Sequence, residues 1–209
     1  GRRALHHIKL PESLETIGIE SFRGCTNLKE IVIPHKTVRI GESAFRDCTD
    51  MKRLSIANNC IKIGERAFEN CSDLVDVSLP EGLTEIYGGV FNSCKSLREI
   101  RLPNKLTILG ESAFSDCIVL EEIDIPATVT KIDDLAFNGC ISMEKIKLHE
   151  GLKKIGKSAF KNCRALTKIN LPATVMSMSN APFRGCESLK SIKVESKNKY
   201  YKSEPNKRE

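Results

Sequence analysis

Eight phenylalanines punctuate this chain at a constant interval: Phe22, Phe45, Phe68, Phe91, Phe114, Phe137, Phe160 and Phe183, each 23 residues from the next. They are all the phenylalanines it has. A cysteine follows each at the third position, from Cys25 to Cys186, and a Leu or Met follows three residues later. Two aliphatics at alternate positions come next, such as Ile31/Ile33, Val77/Leu79 and Ile169/Leu171, often closed by a proline. A further aliphatic lies five residues before seven of the phenylalanines, usually followed by Gly, and Met178 replaces it in the eighth. Strict self-similarity at this period is the mark of a solenoid. One unit cannot bury its own apolar side, but stacked units share a continuous core. About seven apolar positions per unit, at roughly 1.5–3 kcal/mol for each large side chain fully buried, make stacking the dominant stabilising term.

Within the unit, I-x-I-P reads as a short strand ended by proline. V-x-x-I-G reads as a second extended stretch and a turn. The A-F-x-x-C-x-x-L segment spaces its apolar residues by three, which predicts one helical turn or a 3₁₀ segment. Nine strands are expected, from Ile8/Leu10 to Ile192/Val194. At ~4.8 Å between strands, they would form one parallel sheet roughly 40 Å long. The domain reading is a solenoid over residues 1–194 and a polar C-terminal tail over 195–209. That tail is expected to be partly disordered beyond Tyr201, with Tyr200 and Tyr201 folding back over the last layer. The eighth unit, with Pro182 in place of Ala, reads as a degenerate terminal layer.

The pattern resembles the BspA-type (Treponema-type) leucine-rich repeats, a family of bacterial cell-surface proteins. The resemblance covers about residues 5–194. Better-known leucine-rich repeats carry Asn or Cys just after the strand, where this chain has proline. The resemblance implies an α/β repeat fold: a curved leucine-rich repeat solenoid of about eight 23-residue repeats, with a parallel β-sheet on its concave face. It also implies a non-enzymatic module, on the cell surface or secreted, that binds host or neighbouring-cell proteins.

The cysteine column admits three readings. Zinc sites want C-x₂₋₄-C pairs converging on one ion, yet no two cysteines here lie closer than Cys60 and Cys71. A nucleophilic cysteine needs an activating neighbour, and none of the four histidines (His6, His7, His35, His149) repeats beside the column. Disulfides between layers need Cβ vectors turned toward each other, whereas equivalent side chains in a stack point inward in parallel. The third reading, small apolar side chains filling the core, fits best. Cys60 stands outside the column, in a loop, and is expected to be partly exposed and the most reactive thiol.

Strand residues flanking the buried pair should point out from the concave sheet, and they change from repeat to repeat. They form an acidic middle of Asp76, Glu99, Glu122 and Asp124, and a basic C-terminal third of Lys145, Lys147, Lys168 and Lys193. With Arg53 and Arg101, these are the candidate partner-binding residues. Opposite charges in succession would orient a protein ligand and speed its encounter. An anionic glycan on the basic third, or a structural spacer role, are the alternatives. Nucleic acid is disfavoured, because no aromatic lies in either column to stack on bases. The formal net charge is only +6. No catalytic constellation, cofactor motif or metal site is apparent. No apolar run reaches the ~18–20 residues that cross a bilayer. The opening GRRALHHIKLP carries neither a signal peptide nor a solenoid cap, so a preceding segment is expected to be missing.

Overall fold

The computed structural model describes residues 4–203. The expectation of disorder in 204–209 therefore lies outside the described residues. Fifteen short strands, β1–β15 in chain order, form two parallel ladders of stacked layers. Two-residue strands make a lateral ladder: β1 (Thr16–Ile17), β3 (Arg39–Ile40), β5 (Lys62–Ile63), β7 (Glu85–Ile86), β8 (Ile108–Leu109), β10 (Lys131–Ile132), β12 (Lys154–Ile155) and β14 (Ser177–Met178). The I-x-I stretches make the strand face: β2 (Glu30–Ile33), β4 (Arg53–Ile56), β6 (Asp76–Ser78), β9 (Glu122–Asp124), β11 (Lys145–Lys147), β13 (Lys168–Leu171) and β15 (Ser191–Val194). Paired residues differ by 23 throughout, as in Glu30 with Arg53 and Lys168 with Ser191.

The nine-strand continuous sheet is not what forms. The strand face has seven strands, with none over residues 4–10 or 99–102. Pairing lapses between β6 and β9, and again between β11 and β13. The α/β expectation is also corrected, because no described residue is helical. The A-F-x-x-C segment is a run of successive turns, closed by three-residue bonds such as Cys117 N to Phe114 O (3.3 Å) and Leu120 N to Cys117 O (3.1 Å). Left-handed residues on both sides of each phenylalanine prevent a helix. Two positions after it, φ is positive in every layer, occupied by Gly24, Asp47, Asn70, Ser93, Asp116, Gly139, Asn162 and Gly185. All but Ser93 are Gly, Asn or Asp, the residue types that adopt this conformation at least cost. Two positions before it, φ is again positive, even at Leu135 and Ala181. The N–H of each of the first seven phenylalanines donates to the next layer instead, at 2.8–3.0 Å, from Phe22 to Ala44 O through Phe160 to Pro182 O. In several other layers the residue at that acceptor position also donates its own N–H three residues back, as Ala113 N does to Gly110 O (3.2 Å); Pro182 gives up that bond and keeps the carbonyl.

The core runs the length of the stack. In one layer, Leu106, Leu109, Ala113, Phe114, Cys117, Leu120, Ile123 and Ile125 are all buried. The eight phenylalanine rings form a column with centroid spacings of 5.1–5.8 Å and interplanar angles of 3–14°. Such offset stacking adds to their burial. At the C-terminal end, Asn198 is buried, and its Nδ2 donates to Pro172 O and Val175 O, each at 3.0 Å. The Tyr201 hydroxyl accepts Met178 N–H at 2.9 Å, occupying the place a further lateral strand would take.

Candidate functional site

All nine cysteines are free. From Cys48 to Cys186, each column thiol donates to the carbonyl of the phenylalanine 26 residues earlier, one layer back, at 3.0–3.4 Å. Burial pushes the Cys48 thiol up to about 12 and raises Cys71, Cys94, Cys117 and Cys140 likewise. These are poor nucleophiles and poor metal ligands. The expectation for Cys60 is corrected. It is fully buried, its thiol pointing at Lys62 O (3.6 Å), and burial raises it too. Its loop replaces the proline turn but dips into the core. Cys186 differs from its column: it is only half-buried, and its thiol, beside that of Cys163, is lowered from the ordinary cysteine range.

The strand face holds a groove of about 570 Å³. Its floor is Val77, Ile100 and Ile123, and Val75 lies at its edge. Strand alternation turns Asp76 and then Glu99, Arg101, Glu122, Asp124, Lys145 and Lys147 toward it, because successive side chains point to opposite faces. Seven of the ten sequence-derived candidates therefore share one groove. It lies across the unpaired stretch 99–102. Arg53, Lys168 and Lys193 fall outside it. Arg53 binds Glu30 of the layer before, its Nε 3.0 Å from Oε2, and Lys193 lies 3.7 Å from Glu195.

Within the groove, some charges are already satisfied. Asp124 accepts from Lys147 Nζ (3.4 Å) and contacts His149 Nε2 (2.6 Å). Partial burial pushes Asp124 up, but these two contacts outweigh it and hold the carboxyl below the usual range. Arg101 reaches Glu81 at 3.8 Å. Among the described residues Asp76, Glu99, Glu122 and Lys145 form no ion pair within 4 Å, so they are available to a ligand. Sequence reasoning missed His149. The signal was present, since His149-Glu150-Gly151 replaces the proline turn two residues beyond Lys147. Val75 was also missed, because it precedes the alternating pair. No group of three or more His, Cys, Asp or Glu among the described residues could hold a metal ion.

The BspA type Leucine rich repeat region matches residues 2–120 and 111–205, in six copies. The chain belongs to the BspA-type leucine-rich repeat family. A leucine-rich repeat protein of Treponema pallidum, solved by crystallography, is 30% identical over 73% of this chain and 72% of its own, with a TM-score of 0.68. A leucine-rich repeat protein from Bacteroides ovatus is 22% identical over 88% of this chain and 77% of its own (TM-score 0.38). The pneumococcal vaccine antigen PcpA is 18% identical over 88% and 62% (TM-score 0.41). None of the curated proteins compared with the chain matches it. Membership in this BspA-type family fits a repeat module of the protein-binding kind, and no described helix is long and apolar enough to cross a membrane.

Proposed function

We propose that this BspA-type solenoid is a non-enzymatic module, presented on a cell surface or secreted, that binds a host or neighbouring-cell protein through its strand-face groove. The observation that carries this reading is the groove itself: an apolar floor rimmed by unpaired carboxylates at Asp76, Glu99 and Glu122 and by a basic end at Lys145. A polypeptide segment with a basic stretch followed by an acidic one would match it in a single orientation. The groove has no aromatic anchor of the kind that dominates tight interfaces, so micromolar rather than nanomolar affinity is expected for one such segment. The anionic-glycan reading is weaker, because Lys147 and Lys193 are already engaged by acidic neighbours.

The test is binding of the purified protein to a panel of extracellular-matrix and cell-surface proteins, alongside a sulfated glycan. A triple charge reversal (Glu99→Lys, Glu122→Lys, Lys145→Glu) should weaken a bound protein by tenfold or more, the sum of several contacts of order 1 kcal/mol, and leave thermal stability unchanged. Equal binding by wild type and variant would point to the spacer reading. Glycan binding lost on raising salt, without any protein bound, would replace the proposal with the glycan one.

A further inference from the structure

Successive layers are tied to one another along the strand face, the lateral ladder and the turn column. On the lateral side, the residue after each short strand donates to the layer before it: Gly41, Gly64, Gly110, Asp133, Gly156 and Ser179, all at 2.8–2.9 Å. Tyr87 makes no such bond to Ile63. One rung earlier, Val38, Ile61, Thr107, Thr130, Lys153 and Met176 donate in the same way at 2.8–3.1 Å, and Thr84 alone does not. On the strand face of the same junction, the Arg98 N–H makes no bond to Val75 O, although Val75 bonds Lys52 O at 3.0 Å and Glu121 bonds Arg98 O at 3.1 Å. The junction between the Phe68 and Phe91 layers is thus the only one between complete described layers where both ladders lapse; the Phe91/Phe114 and Phe137/Phe160 junctions lose their strand-face pairing alone. The turn column survives there, through Arg66 N to Gly88 O (2.9 Å), Phe68 N to Val90 O (3.0 Å) and Asn70 N to Asn92 O (2.8 Å). Its rings are the widest spaced of the column, at 5.8 Å, and its thiol bond, Cys94 to Phe68 O, is the longest, at 3.4 Å.

The sequence supplies a cause. The position held by Tyr87 is glycine in five layers, and a Cβ placed on Gly41, Gly64, Gly110 or Gly156 would come within 2.4–2.8 Å of the backbone one layer back. Asp133 and Ser179 carry a Cβ at this position and keep the bond, so a Cβ alone does not break it. What sets Tyr87 apart is its ring, which lies 5.5 Å from Lys62 Nζ of the preceding layer, followed by the Gly88-Gly89 pair.

We propose that the Phe68/Phe91 junction is a hinge, with the turn column as its axis, dividing the solenoid into two blocks that move against each other. The strand-face groove crosses this junction, and a second groove of about 540 Å³ lies over its lateral side, lined by Glu65, Glu69, Tyr87 and Glu111 among others. Hinge motion sets the distance between Asp76 on one block and Glu99 and Glu122 on the other. The hinge belongs to the scaffold and does not depend on a protein occupying the groove.

Hydrogen exchange of the full chain tests it. Amides 84–87 should exchange roughly tenfold or more faster than the equivalent amides 107–110 and 130–133, since exchange reports local opening. Tyr87→Gly should slow them to the level of 107–110. Phe45→Ala should speed exchange over residues 10–79 and leave 108–175 at wild-type protection, and Phe137→Ala should do the converse. Amides 84–87 protected like their equivalents, Tyr87→Gly leaving a fast rate unchanged, or Phe45→Ala loosening both blocks alike would each overturn the hinge.

Discussion

From Phe22 to Phe160, each phenylalanine carbonyl accepts two hydrogen bonds, the N–H of the cysteine three residues on and the thiol of the cysteine one layer later. That dual role explains a cysteine at this place. Alanine would leave a void and an under-satisfied carbonyl, valine would add a methyl to a close-packed column, and serine would bury a more strongly hydrated hydroxyl. A column chosen for packing and one weak hydrogen bond is chemically quiet. With thiol reagent at about pH 8, near the ordinary cysteine range, Cys186 should label first and alone, being half-buried with its thiolate favoured. Cys60 and the column from Cys48 to Cys163 should stay unmodified until denaturant is added. All nine should then label without reductant. Peptide mapping of the labelled protein reads this out, and early modification of Cys60 would contradict its burial.

At the scale of the element, the turn column shows what the letters could and could not convey. Period-two aliphatics gave the strand face directly, because burial on one side of a strand leaves only one phase possible. A three-residue apolar spacing is shared by a helical turn and by consecutive tight turns, so it could not separate them. The deciding residues are the small polar ones at left-handed φ, such as Asp116 and Asn162, and they gain meaning only once the phenylalanine N–H is seen to bond outward. The alternation likewise placed Asp76 through Lys147 on one face. The lapse in pairing over 99–102 that opens a groove among them was not legible, because those residues keep the same alternation as their paired neighbours. Asp116 has φ 57° and Ala181 φ 50°. Asp116→Ala should therefore cost about 1–2 kcal/mol, and Ala181→Gly, on an exposed residue, should recover about 1 kcal/mol, the cost of left-handed backbone for a residue with a Cβ. Urea midpoints at matched slope measure both, and a destabilised Ala181→Gly would show that the turn tolerates that backbone without strain.

Across the whole molecule, repetition turns a small linkage into a large one. Seven thiols lie above their ordinary range in the folded state: Cys48, Cys60, Cys71, Cys94, Cys117 and Cys140 through burial, and Cys163 through the neighbouring Cys186 and then burial. In the unfolded chain they ionise near pH 8.5. Below that value both states hold their protons and the thiols leave stability independent of pH. Above it the unfolded chain releases protons that the folded chain keeps, so stability falls as pH rises. Each thiol contributes up to about 1.4 kcal/mol per pH unit. Acting together over a shared core, they should make the solenoid far more sensitive to alkali than to mild acid, where no buried carboxylate column exists among the described residues to oppose them. Urea unfolding in reductant should show the midpoint dropping steeply between about pH 9 and pH 10.5, while the change between about pH 6 and pH 8 is slight. Replacing both Cys94 and Cys117 by Ala removes two of the seven ionisations and should flatten the alkaline slope by about that share, even though the starting stability is lower. A slope unchanged by the double substitution would assign the alkaline loss to other groups and remove the thiols from the stability balance.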